Sequence, residues 1–158
     1  MTAGAISSRY ARALYLLVQE SGRGEAVFTQ AREFLDNSAY APAELEDALA
    51  RLLILLRRNH RTEYLKPILI DFVRLYCREQ GICIAHLSTA APSDGLGERL
   101  RDMLASRSGK RVLMDTRPAP SLIGGFVLEL DDETMDASVR RQIDLIRSEF
   151  TEKNKRII

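Results

Sequence analysis

The sequence predicts an α+β protein, mainly α, with an N-terminal antiparallel bundle of about four helices followed by a small β-α-β-β-α unit. Three observations carry that expectation. As far as Gln80, apolar residues recur at three-and-four spacing in four separate stretches, each one face of a helix. Beyond Gly81 the period turns toward alternation, in short runs rich in β-branched residues. Gly, Ser, Asn and Pro fall between the runs, where chain breaks are needed. The boundary between the two halves is expected at residues 1–81 and 82–158.

The elements follow in order. Ile6, Tyr10, Ala13, Leu14, Leu17 and Val18 mark a first helix over about 6–19, capped by Ser7 or Ser8 and stopped at Ser21-Gly22. Val27, Phe28, Ala31, Phe34 and Leu35 mark a second, opened by Gly24 and broken by Asn37, Ser38 and Pro42. A third is expected from about Pro42 to Arg58, with acidic Glu44, Glu46 and Asp47 at its positive end and Arg57 and Arg58 at its negative end. The second half of that helix, Leu52 to Leu56, is apolar all round; it is either buried centrally or turns one side toward a partner. A fourth helix spans about 65–79, with Pro67 in its first turn and Gln80-Gly81 at its end. Then come a strand at Ile82 to Ser88, a helix from Ser93 through Ser106, a strand at Arg111 to Thr116 and a strand at Ile123 to Leu130. The turn Asp131-Asp132-Glu133 leads to a final helix from about Asp136 to Lys153, striped by Val139, Ile143, Ile146 and Phe150.

Composition excludes several function classes. The 158 residues are 46% apolar and 28% charged, an ordinary globular mixture. Lys and Arg number 23 against 22 Asp and Glu, so bulk electrostatics do not favour nucleic acid. The longest apolar run, Ala13 to Val18, falls far short of the ~20 residues that cross a bilayer. No secretory signal is visible at the start, and no bilayer insertion is expected. Cys77 and Cys83 are the only cysteines, with no neighbouring ligand set at metal spacing, so two reduced, partly buried thiols are expected.

Few residues suggest chemistry. Glu129, Asp131, Asp132, Glu133 and Asp136 form an acidic cluster without the Ca²⁺-loop pattern, and a solvated turn beside a helix start explains it. Gly124-Gly125 reads either as a phosphate cradle or as a place where backbones approach closely, and the β-rich run that follows favours the second. Arg57-Arg58-Asn59-His60-Arg61 is a basic cluster at a helix end, which leaves a small helical nucleic-acid-binding module as the alternative reading. A thiol enzyme using Cys77 or Cys83 is a third. No nucleophile, base and stabiliser converge in the sequence, so the chain reads as an interaction protein that needs no cofactor and no metal.

Several stretches carry a resemblance. Pro120-Ser121-Leu122-Ile123-Gly124-Gly125-Phe126-Val127-Leu128, then Asp136-Ala137-Ser138-Val139-Arg140 and a closing amphipathic helix, resemble the C-terminal signature of the delta subunit of F-type ATP synthase. The mitochondrial relative of that family is the oligomycin sensitivity-conferring protein. Arg9-Tyr10-Ala11-Arg12-Ala13-Leu14-Tyr15 is similar to its opening helix. Leu52 to Leu56 with Asn59, Arg61 and Leu65 is similar to its penultimate N-domain helix, and Ile84 to Ala90 to the strand that opens its C-terminal half.

The resemblance implies a non-catalytic peripheral-stalk subunit of proton-translocating ATP synthase, held at the cytoplasmic face of a bacterial membrane as part of the complex. It implies an N-terminal half that grips N-terminal segments of alpha subunits and a C-terminal half that binds b subunits. The alpha groove, carried onto matching positions, nominates Ala11, Leu14, Tyr15 and Val18 with Leu53 and Leu56; these six fit an internal packing role equally well. A Leu14→Asp change is then expected to weaken alpha binding with the helices intact. Tyr10, Ile123, Gly124, Gly125, Phe126, Asp136, Ser138 and Val139 carry the family signature, the two glycines and Phe126 as fold determinants. The family's N domain is a six-helix bundle, whereas this chain has too few residues between Leu35 and Leu52 for both short middle helices. Four main helices with one residual turn near Ser38 to Ala41 are expected instead. Ser93 also stands where the family has Leu after Pro.

Overall fold

A computed structural model of the chain describes residues 3–37, 45–91, 95–130 and 133–155. The chain divides into two compact units, Met1–Gln80 and Gly81–Ile158. The first is helical: α1 (Ala3–Ser21), α2 (Gly24–Asp36), α3 (Asp47–Arg58) and α4 (Leu65–Gln80), with a single 3₁₀ turn at Thr62–Tyr64. α3 begins at Asp47 rather than Pro42, because Glu46 is extended (φ −56°, ψ 134°). Pro42 itself and the turn expected at Ser38 to Ala41 lie outside the described residues.

The helices meet along the stripes their sequences present. Ala11, Leu14 and Val18 of α1 are buried, as are Val27, Phe28 and Ala31 of α2, Leu49, Leu52 and Leu56 of α3, and Ile68, Leu69, Phe72 and Tyr76 of α4. Each fully buried Leu or Phe contributes about 1.5–3 kcal/mol relative to exposure. The Tyr76 ring organises one end: Phe28 stacks on it at 4.8 Å, Phe72 tilts against it at 5.9 Å and Tyr15 meets it edge-on at 6.3 Å. At the other end Asp71 of α4 accepts hydrogen bonds from the hydroxyls of Ser7 (2.5 Å) and Ser8 (3.2 Å). These two pairings mean that α1 and α4 run in the same direction. α3 runs against α1, since Tyr10 meets Asn59 while Leu17 shares a cleft with Ala48.

The second unit holds β1 (Ile82–Thr89), α5 (Leu96–Ser108), β2 (Arg111–Pro118), β3 (Phe126–Leu130), β4 (Glu133–Asp136) and α6 (Val139–Lys155), with a 3₁₀ turn at Pro120–Leu122. The sheet order is β2-β1-β3-β4; β1 and β2 are parallel and the other pairs antiparallel. The parallel pair needs a crossover, and α5 supplies it. Cys83, Ala85 and Leu87 of β1, Val112 of β2 and Leu128 of β3 form the core with Leu100 of α5. The alternation that marked the strands is the alternation that buries this face.

Three expectations need correction here. β4 was not foreseen: Met135 is its only apolar residue and is half exposed, so no buried alternation announces this edge strand. β3 begins at Phe126 and not at Ile123, because Ile123 (φ 67°) and Gly125 (φ 75°) take the left-handed region and cannot extend a strand. α6 begins at Val139; Asp136 belongs to β4 and Ser138 is the residue before the helix. The expected start of α5 at Ser93 lies outside the described residues, and left-handed Gly95 immediately precedes Leu96.

Candidate partner-binding surfaces

Of the six side chains nominated for a groove, four are interior. Ala11 is 1% exposed, Leu14 3%, Val18 1% and Leu56 0%. Tyr15 and Leu53 are partly exposed, but Tyr15 turns toward α4, where its ring meets Tyr76. The seam between α1 and α3 is lined by other residues. At one end Leu17 and Glu20 share a cleft of about 330 Å³ with Ala48 and Arg51. At the other the Tyr10 hydroxyl accepts hydrogen bonds from Asn59 Nδ2 (3.3 Å) and Arg61 Nη1 (3.2 Å). Ala13 lies one turn from both Tyr10 and Leu17, and Leu55 one turn from both Arg51 and Asn59, so these two occupy the middle of the seam. Leu55 is 45% exposed, and Ile54 and Leu16 nearby on their helices are 68% and 56% exposed. The sequence held the signal: Tyr10, Ala13 and Leu17 form a second apolar stripe beside the core stripe.

The basic cluster has a local explanation. His60 (φ 54°) takes the left-handed conformation after α3, its N–H bonds to the Arg57 carbonyl (3.2 Å), and the Arg61 N–H reaches back to Leu56 (2.8 Å). That is a helix stop of the Schellman type, with His60 where glycine is usual. Arg61 is engaged by Tyr10, and its guanidinium holds that phenol below its ordinary pKa. The cluster is thus part of the packing of α1 on α3.

The signature region of the second unit is a close backbone crossing. A Cβ on Gly125 would lie 2.2 Å from the Ala137 carbonyl oxygen, and one on Gly124 would lie 2.8 Å from the Val139 side chain. The contact is tied by hydrogen bonds from Val139 N–H to Gly124 O (3.0 Å) and from Ala137 N–H to Phe126 O (2.9 Å). Asp136 Oδ1 accepts the Ser138 N–H (2.9 Å), and the Ser138 hydroxyl oxygen in turn accepts the Arg141 N–H (3.2 Å), capping α6. Hydrogen bonding from the Ser138 hydroxyl, and then from its N–H, holds the Asp136 carboxyl below the usual carboxylate range. Ile123 projects outward, 68% exposed. Past its cap α6 leaves an apolar stripe uncovered: Val139 is 37% exposed, Ile143 40% and Ile146 54%.

Residues 29–150 match the family model described as ATP synthase delta (OSCP) subunit. The chain belongs to that family. Curated relatives agree over full length: ATP synthase subunit delta of Phocaeicola vulgatus is 27% identical, covering 100% of both chains. That of Anaeromyxobacter sp. strain Fw109-5 is 30% identical, covering 95% of this chain and 99% of its own. A chain of the Toxoplasma gondii mitochondrial ATP synthase hexamer shares the fold, with a TM-score of 0.59 and 20% identity over 96% of this chain and 98% of that one. As a member of the delta family, the chain is a non-catalytic peripheral-stalk subunit of ATP synthase. Nucleic-acid binding through Arg57 to Arg61 finds no support in any of these matches, and that alternative is set aside. Cys77 and Cys83 are both buried. No helix among the described residues is long and apolar enough to cross a membrane.

Proposed function

We propose that this delta-family chain joins two partners of an ATP synthase, holding N-terminal segments of alpha subunits with its helical unit and b subunits with its second unit. The observation that carries the reading is that each unit has its own uncovered apolar strip. On the first it is the α1–α3 seam, where Ala13 and Leu55 are exposed between half-buried Tyr10 and Leu17; on the second it is the α6 stripe of Val139, Ile143 and Ile146. Both have the form taken by helix-in-groove recognition, in which an amphipathic helix lays apolar side chains at three-and-four spacing against a matching strip. The work is mechanical. A stator resists torque by binding energy spread over two sites, and no bond is made or broken. The site of action is the cytoplasmic face of a bacterial membrane, where the chain is peripheral.

The groove now rests on different residues. Leu14→Asp would place a carboxylate in the bundle interior and unfold the unit, so it does not test binding. Leu55→Asp alters an exposed position. Titrating the full chain with a peptide from the N-terminus of an alpha partner, we expect Leu55→Asp to weaken binding about tenfold or more with the helical circular dichroism unchanged. Ile143→Asp with Ile146→Asp should abolish capture of a peptide taken from the C-terminal end of b and leave the alpha peptide unaffected. Wild-type binding of the alpha peptide by Leu55→Asp would remove the seam from the account.

A further inference from the structure

The helical unit has a further cleft besides the α1–α3 seam. It lies between the parallel helices α1 and α4 and has a volume of about 510 Å³. Ala11 and Tyr15 lie on its α1 side and Leu75 on its α4 side, with exposed Leu16 also lining it. Its rim is charged in a particular way. Asp71 at one end already accepts the Ser7 and Ser8 hydroxyls, and at the other end Glu79 pairs with Arg78 at 3.5 Å. Arg12 and Arg74 line the same cleft from opposite helices, are exposed, and have no ionic partner among the described residues. The cleft therefore offers apolar surface between two uncommitted cations.

We infer that the α1–α4 cleft is a second docking site of the helical unit, taking an amphipathic helical segment whose apolar stripe is flanked by carboxylates that meet Arg12 and Arg74. Charge complementarity chooses this occupant. A basic segment would bring like charges to both guanidinium groups, and a purely apolar one would strip water from them without a partner. Arginine suits the task, because its planar fork pairs a carboxylate through two parallel hydrogen bonds. From Asp71 to Glu79 the cleft runs roughly 12 Å at ~1.5 Å per residue, the length of about two helical turns. The site is independent of the seam on the other side of α1, so the two are separable by mutation.

The probe is a fluorescent synthetic helix of about 14 residues, with Leu at three-and-four spacing and Glu on both flanks, titrated into the full chain. Binding is expected, weakening with added salt and falling about tenfold on Arg12→Glu with Arg74→Glu, the scale of reversing two rim charges. Leu55→Asp should leave it unchanged, which distinguishes this site from the alpha seam. Arg12→Gln with Arg74→Gln, a milder pair at the same exposed positions, should fall in the same direction. Equal binding by the charge-reversed chain, or equal binding of a probe with Lys in place of Glu, overturns the inference. So does a concentration-dependent dimer of the full chain lost on the same double change, which would give the cleft to a second copy.

Discussion

Gly125 sits where a side chain has no room and the backbone has no alternative. Its φ of 75° is costly for an L residue, and a Cβ would overlap the Ala137 carbonyl, which is itself fixed by the hydrogen bonds that start α6. Gly125→Ala should lose about 2–4 kcal/mol of stability in urea unfolding, with the helical unit's core untouched. Tyr10 is a different case. Its phenol is lowered from the ordinary value near 10 first by the Arg61 hydrogen bond and then, against the opposing effect of burial, by Asn59. A group with a depressed folded pKa gains stability above its unfolded value and loses it as pH falls through the folded one. That window lies on the alkaline side, so at neutral pH the protonated phenol contributes nothing through this shift. Arg61→Gln should move the Tyr10 titration, followed by ultraviolet difference absorbance, upward toward the ordinary value; an unmoved midpoint would contradict the assigned cause.

At the scale of elements, α6 is the clearest test of local chemistry. Ser138 is 2% exposed and caps the helix at Arg141, while Asp136 braces the cap from the end of β4. Ser138→Ala should cost about 1 kcal/mol, read as earlier loss of α6 amide protection in hydrogen exchange with the sheet's protection retained. Helix α3 shows why an apolar run is ambiguous. Leu52 and Leu56 are buried four residues apart, while Ile54 and Leu55 between them point outward. From sequence, all five residues Leu52 to Leu56 look alike. The same ambiguity applies to α1: its core stripe and the neighbouring stripe are both apolar, and only the position of α3 decides which is covered. β4 escaped notice because an edge strand with exposed side chains carries no hydrophobic period to read.

At the scale of the molecule, the chain is two units that each finish a core yet leave apolar strips on their surfaces. A protein that worked alone would gain by covering Ile54, Leu55, Ile143 and Ile146, which are 68%, 45%, 40% and 54% exposed. Such strips are expected where partners complete the burial, and membership of the delta family names a complex in which partners exist. By itself the sequence determined the helical first half and mixed second half, the turns at Gly22 and Gly81, the signature around Gly124-Gly125 and the family, because period, breakers and motifs are local properties of the chain. Only tertiary structure decided which apolar residues stay uncovered, that α4 runs alongside α1, and that Arg12 and Arg74 flank one cleft. Burial belongs to pairs of elements, and no single helix records where its neighbour will lie.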